Sequence, residues 1–499
     1  MKWQGMKNGE SSLGRTRAVG LMAWAAALAL AGCAAPDAPP AVSASLPPQW
    51  QAALPHQGSV ADLGQWWQQQ GDPLLAELVA AAQAVSPTVA SSHSRIAQAR
   101  AARVAAGAAL RPALDASASL SRGRSQQASA AGSVPVVTTA QAGLQAAWEL
   151  DLAGGNRAGL DAATQRLLGA DAQWHEARVS VAAETAIQYH SLRSCRALAD
   201  VTQRDAGSRQ ETARLSGLST QAGFTAPSVN ALAQASATEA RGRSVRQSAQ
   251  CAFDLKALVA LSGLEEPYLR QKLALAPATQ APPALFLIAK VPADVLAQRP
   301  DVFSAGREVA AASADIGSAE AARYPRLGLS GSIGLASLRA GGATASLDTW
   351  TIGPLSLSVA LFDGGRRAAN AQAAQARYEE AAARYRASVR QAVREVEQAL
   401  VSLQSTDARQ ADAQAAVDGY QAAFTGTEAL YQSGLASLLQ LEDARRSLLA
   451  AQIGSVSLQQ ERQAAGVALY RALGGGWTPG LAPLQAAAAS AASAAARAP

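Results

Sequence analysis

Aromatic side chains are scarce in this chain: 5% of 499 residues, although 49% are hydrophobic. Alanine supplies much of the apolar count, which suits closely packed helices better than a thick globular core. Histidine is limited to four residues, His56, His93, His175 and His190, scattered without metal-ligand spacing. Neither a Gly-x-Ser-x-Gly elbow nor a His-Glu-x-x-His pair occurs. These absences argue against an enzyme and against a bound cofactor or metal. No basic cluster interleaved with aromatics is present, which excludes nucleic acid as a partner. The formal charge is +6, but residues 1–32 hold four basic residues and one Glu, so half of the excess belongs to that segment.

That segment reads as a secretory signal. Lys2, Lys7, Arg15 and Arg17 precede an apolar stretch, Val19 to Leu30, that is too short for a stable membrane span. It ends in Leu30-Ala31-Gly32-Cys33, which resembles a bacterial lipobox. The resemblance implies acylation of Cys33, and Ala34 after it implies sorting to the outer membrane. Lipid chains anchor without spanning. Residues 33–58, rich in Pro, Ala and Ser, read as the tether that follows.

The folded part is organised around switches from strand to helix. Leu355, Leu357, Val359 and Leu361 alternate with small or polar residues, the period of a strand. After Gly364-Gly365 the chain is mostly Ala, Gln, Arg and Glu, with no further Gly or Pro until Gly419. The same switch occurs at Gly154-Gly155, 210 residues earlier, so the chain contains a duplicated unit. Ser86-Pro87 matches Arg299-Pro300, and Pro112-Ala113-Leu114 matches Pro325-Arg326-Leu327, each at a shift of 213.

The first repeat is expected over 59–276, with strands near 113–121 and 140–152 and a helical hairpin over 155–262. A break near Gly207 would divide the first long helix, and helix is expected to continue past Pro87. Residues 277–290 form a linker. The second repeat covers 291–476, with strands near 326–336 and 351–362 and a hairpin over 365–473, and a disordered tail follows from 477. Gly328, Gly331 and Gly334 look like a phosphate loop only superficially, because they sit within a strand and point to close backbone packing. Val389, Val393, Val396, Leu400 and Leu403 recur at spacings of four and three, a seam for another helix.

Each strand has the roughly ten residues that a tilted strand needs to cross a bilayer. Each also has one polar face, as a water-filled barrel requires. Four strands do not close a barrel, and an open edge in lipid is forbidden. Oligomerisation is therefore expected, and three copies would supply twelve strands. The fold class is a mixed α and β membrane protein, whose four strands per protomer complete a trimeric β-barrel. Cys195 and Cys251 lie symmetrically about Gly223. If Gly223 marks the turn of a hairpin, they stand at matching heights and either pair in an oxidising periplasm or remain buried free thiols.

Several stretches together carry a family resemblance. They are Val291-Pro292-Ala293-Asp294-Val295-Leu296 through Arg299-Pro300-Asp301-Val302, Tyr324-Pro325-Arg326-Leu327, Leu361-Phe362-Asp363-Gly364-Gly365-Arg366, and Tyr431-x-x-Gly434-Leu435 through Leu441-Glu442-Asp443-Ala444. Residues 60–475 resemble the outer-membrane factors, the TolC/NodT-like lipoprotein channels of tripartite efflux systems. The resemblance implies a homotrimeric twelve-stranded barrel continuous with a periplasmic helical barrel. It also implies docking to a periplasmic adaptor and an inner-membrane pump of the resistance-nodulation-division (RND) type, for multidrug efflux. It places a constriction at the helix tips, where Asp443 matches an acidic ring position. The preceding acidic position falls on Gln440. Gly434 and Gly223 match tip glycines, while an expected Asp falls on Val229. A solvated helix carboxylate is the other reading of Asp443. Glu442 faces about 100° away and meets a neighbour or solvent. A protein-secretion channel would have the same fold. A poreless periplasmic scaffold would not need the apolar strand faces.

Overall fold

Two prolines set the starts of the strands on which the rest depends. Helices end at Ala108 and Ala321, a tight turn leads to Pro112 and Pro325, and strands begin immediately after them. The computed structural model describes residues 42–44, 51, 66–69, 71–124, 136–275, 296, 299–340 and 342–477. The signal segment, Cys33, most of the tether, the linker 277–290, Val291 to Val295 and everything after 477 lie outside the described residues.

The described chain divides into two compact units. The first contains residues 97–169 and 306–384 and holds one antiparallel sheet in the order β1 (Ala113–Arg124), β2 (Val136–Leu150), β3 (Arg326–Ala340) and β4 (Ala343–Ser358). The first two strands extend toward each other beyond the expected 113–121 and 140–152, because Arg122 to Arg124 pair with Thr138 to Val136. The fourth strand also differs from the expected 351–362. It begins at Ala343, where β3 offers a ladder up to Ala340, and ends at Ser358 opposite Arg326. Pro325, next in line, has no N–H to extend the pairing. Val359 and Leu361 thus continue the alternation without belonging to the strand.

One irregularity keeps the sheet two-faced. The register shifts by one residue between Leu329↔Leu355 and Gly331↔Ile352. A β-bulge at this point lets Trp350 and Ile352 share a face with Leu355 and Leu357, despite the odd spacing. The glycines of β3 act through close approach. A Cβ on Gly334 would lie 3.1 Å from the Ala142 carbonyl oxygen, and one on Gly331 3.2 Å from that of Thr351.

The second unit comprises residues 43–96, 170–305 and 385–499 by chain position. Short helix α1 (Trp66–Gln69) is followed by α2 (Pro73–Val85) and α3 (Pro87–Ala108). Helix does not continue across Pro87: Ser86 is extended at ψ 123, as a residue before proline prefers, and the two helices meet at a 51° bend. Helices α4 (Gly155–Gln221) and α8 (Arg366–Gln432) each have 67 residues, about 100 Å of rise. No break occurs at Gly207. Arg209 donates to Asp205 across it at 2.9 Å, an i,i+4 pair that spans the glycine. Helices α5 (Pro227–Ser262) and α9 (Leu438–Ala472) complete two hairpins, and α6 (Glu266–Leu275) and α7 (Pro300–Ala321) are further helices among the described residues.

The core of the second unit gathers Trp66, Trp67, Leu75, Leu78, Tyr189, Leu192, Leu258 and Leu469 with the seam residues Val396, Leu400 and Leu403. Val389 packs in a neighbouring cluster with Leu296, Val302 and Ala392, to which Ala44 and Val393 also belong. The ordered fold reaches past the expected start of the tail, since Trp477 is buried edge-to-face on Phe303 at 5.0 Å. His175 sits beside Trp174 and Trp477, and burial, helped by Arg178, pulls its pKa down to about 4, so it is a neutral packing residue at pH 7.

Cys195 on α4 and Cys251 on α5 stand with Cα atoms 5.5 Å apart and their sulfurs bonded. Closing a loop of sequence separation 56 stabilises the hairpin chiefly by restricting the unfolded chain. The Cys195→Ser/Cys251→Ser double variant is expected to lose about 2–4 kcal/mol. Thiol labelling of the denatured, unreduced mature protein checks the premise, because neither residue should react before reduction.

Candidate functional site

Two places can serve a conduit, and each is built within one unit. The first is the sheet. Directly opposed residues in a ladder share a face. Leu114, Leu144, Ile333 and Trp350 therefore lie on one side, joined by Leu120, Leu335, Leu329 and Leu355. All eight are exposed or half-exposed, with Ile333 at 61% and Trp350 at 73%. The opposite side carries Asp115, Ser117, Gln141, Gln145, Ser332, Thr349 and Thr351. Ser332 and Thr351 bond to each other across it at 2.9 Å. Among the described residues, β1 and β4 each pair on one side only.

Below the sheet, the chain turns into its long helices at two equivalent corners. Gly154 (φ +76), Gly364 (φ +65) and Gly365 (φ +88) adopt the left-handed conformation that a side chain resists. Gly155 serves differently. A Cβ there would come within 3.0 Å of Ala321 Cβ. An aspartate caps each helix. Asp151 accepts from the N–H groups of Asn156 and Arg157 at 3.1 and 2.9 Å, and Asp363 from those of Gly365 and Arg367 at 3.0 and 3.2 Å. The backbone N–H of Arg367 and its neighbours hold the Asp363 carboxyl below the usual carboxylate range.

The second place is the pair of hairpin turns. Gly223 and Gly434 both sit at φ +78. The N–H groups of Phe224 and Leu435 reach back to Ser219 and Leu430 at 2.9 and 2.8 Å, closing both helices in the same way. Phe224 and Leu435 are exposed, at 86% and 76%. Gln440 holds the start of its helix. Its side chain accepts from the Ser437 N–H at 2.7 Å, and its own N–H donates to Ser437 Oγ, a capping box. Asp443 stands exposed at 58%, 3.5 Å from Arg446. Val229 packs in the small core between the hairpin ends, with Leu438 and Leu441.

Near these turns lies a charged network that periodicity does not reveal. Glu442 is buried and accepts from Arg209 on α4, from Ser236 on α5 at 2.8 Å and from Arg445 on its own helix at 2.7 Å. Arg445 also donates to Ser208 and Thr212 at 2.9 and 3.0 Å and lies over the Phe424 ring. Asp205 holds Arg209 and Arg243. Glu442 thus meets a neighbour, and the network joins the two hairpins within one protomer. The only trace in the sequence is three charges, Glu442, Asp443 and Arg445, within one helical turn. Among the described residues no group of three His, Cys, Asp or Glu could hold a metal ion.

A family profile described as outer membrane efflux protein matches residues 78–264 and 291–475. The pyoverdine export outer membrane protein OpmQ of Pseudomonas putida is 32% identical over 464 residues, 90% of this chain and 96% of its own. The outer membrane protein OprJ of Pseudomonas aeruginosa is 31% identical over 477 residues, covering 93% of this chain and 98% of its own. Among solved structures, the outer-membrane channel OprN superposes with a TM-score of 0.78 at 26% identity, covering 90% of this chain and 100% of that one.

Proposed function

The chain belongs to the outer membrane efflux protein family and is an outer-membrane efflux channel reaching into the periplasm, and we propose that it works as a passive duct built from three copies. The two-faced sheet, whose β1 and β4 each pair on one side only among the described residues, carries this reading. A lipid-facing edge must find another strand, and three such sheets make a closed barrel of twelve strands with a wet interior. The helical hairpins continue the duct into the periplasm. Their exposed turns around Gly223 and Gly434 meet a periplasmic adaptor, which couples the duct to an inner-membrane RND pump. Small toxic compounds are the cargo, and the pump supplies the energy. Acylation of Cys33 adds an anchor in the membrane's inner leaflet. Ala44 in the second unit supports this by fixing the tether near a folded surface, since eleven residues reach at most about 40 Å.

Single-channel recording in planar bilayers, with cross-linking to count copies, tests the duct. Folded, inserted protein that conducts nothing would end the reading. Asp443 is proposed to line the constriction at the helix tips. Asp443→Asn is expected to lower the cation-to-anion permeability ratio read from the reversal potential, without lowering the yield of trimer. An unchanged ratio would assign Asp443 to the solvated surface instead.

A further inference from the structure

The end of the sheet farthest from the helices carries charge of one sign. Arg122 and Arg124 close β1, and Arg339 lies one residue from the end of β3. The registers place Arg122, Thr138, Arg339 and Thr344 in one row across all four strands. Counting by twos along each strand puts this row, and Arg124 beyond it, on the same face as Leu120, Leu335 and Ile333. All three arginines are exposed. Arg339 is steadied by its Nε donating to Thr344 Oγ1 at 3.3 Å.

The opposite face of the same rim bears Ser121, Gly123, Val137, Thr139, Leu338 and Ala345, with no charge. Arginines serving only hydration would be expected on that wet side. The sequence also has no acidic residue between Asp115 and Glu149 or between Glu320 and Asp348, so neither connecting loop can neutralise the row. Asp348 shares the face, but lies about 13 Å along the strand from Thr344.

The height of the row is informative. From the row of Leu327 to that of Ser337 is ten residues, roughly 25 Å of vertical rise for a strand tilted near 40°. That equals the apolar band of a membrane barrel, so the arginines begin where hydrocarbon ends. Strand β1 leaves a helix at its other end and β2 enters one there, so with periplasmic helices this rim is at the outer leaflet. Just below, Ala118, Ala140 and Ala142 floor a trough beside Leu120 and Leu335, and Asp348, opposite Leu335, also lines it.

We propose that Arg122, Arg124 and Arg339 bind the phosphate groups of a phosphorylated glycolipid in the outer leaflet, whose acyl chains lie along the alanine trough. Guanidinium forks match phosphate oxygens in pairs. The proposal rests on the barrel reading above.

The mature protein and an Arg122→Gln/Arg124→Gln/Arg339→Gln variant are reconstituted in phosphatidylcholine bilayers. The bilayers contain either diphosphoryl lipid A or the same lipid with its phosphates removed, and lipid retained per protein is titrated while conductance is recorded. The wild-type protein is expected to prefer the phosphorylated lipid by about fivefold per arginine, roughly 100-fold in all, and the variant to show no preference. Millimolar inorganic phosphate should leave the preference intact, and its loss would overturn a lipid site in favour of a free-anion site. Equal preference by two conducting proteins overturns the proposal. Absence of conductance from both overturns the barrel reading and the proposal with it.

Discussion

Ile333→Arg is expected to cost about 2–4 kcal/mol per protomer, because it places a guanidinium at mid-height on the lipid-facing side of the sheet. Ile333 lies opposite Leu144 on β2 and Trp350 on β4, so its side has no polar neighbour in that row. In the proposed trimer the cost is incurred three times, and inserted, heat-resistant oligomer should fall to near nothing in folding assays with lipid vesicles. Ser332→Arg, one residue away, points to the face that holds Thr351. That variant should insert normally and conduct fewer cations. If the two variants exchanged behaviour, the faces would be assigned backwards. If both inserted normally, the strands would not meet lipid at all.

Glu442→Ala is expected to destabilise the second unit by about 3–5 kcal/mol, the range for removing one partner of a buried charge network. Arg445 would keep Ser208 and Thr212, neutral groups, with Glu428 as its nearest remaining carboxylate at 3.9 Å. Arg209 would keep Asp205 and Ser236. The loss should appear as faster amide exchange around residues 205–212 and 438–448, and as a lower thermal midpoint. The Glu442→Leu/Arg445→Met double variant should recover much of it, since apolar replacement of a whole buried pair is often neutral. If Glu442→Ala left both readouts unchanged, water would be reaching the network and screening it.

The resemblance to a known family was legible because its marks are local. Tyr431 to Ala444 and Leu361 to Arg366 are short runs whose spacing survives in one dimension. The outcome at Gln440 shows the limit of such matching. The resemblance matches its position to an acidic one, and the side chain is spent on the Ser437 cap. A capping box can be read from Ser437 and Gln440 three residues on, so the signal was present in another form.

Sequence alone determined the duplicated order of elements, the strand-to-helix corners at Gly154 and at Gly364-Gly365, and the two hairpin turns. Each is a change of hydrophobic period or a demand for positive φ, and both are properties of neighbours along the chain. Tertiary structure decided the extent of β4, the bulge that returns Leu355 and Leu357 to the side of Trp350, and the burial of Glu442 between Arg209 and Arg445. Those depend on which backbone supplies the next ladder bond, or which side chain arrives from more than two hundred residues away. A hydrophobic period carries no information about a partner it does not contain.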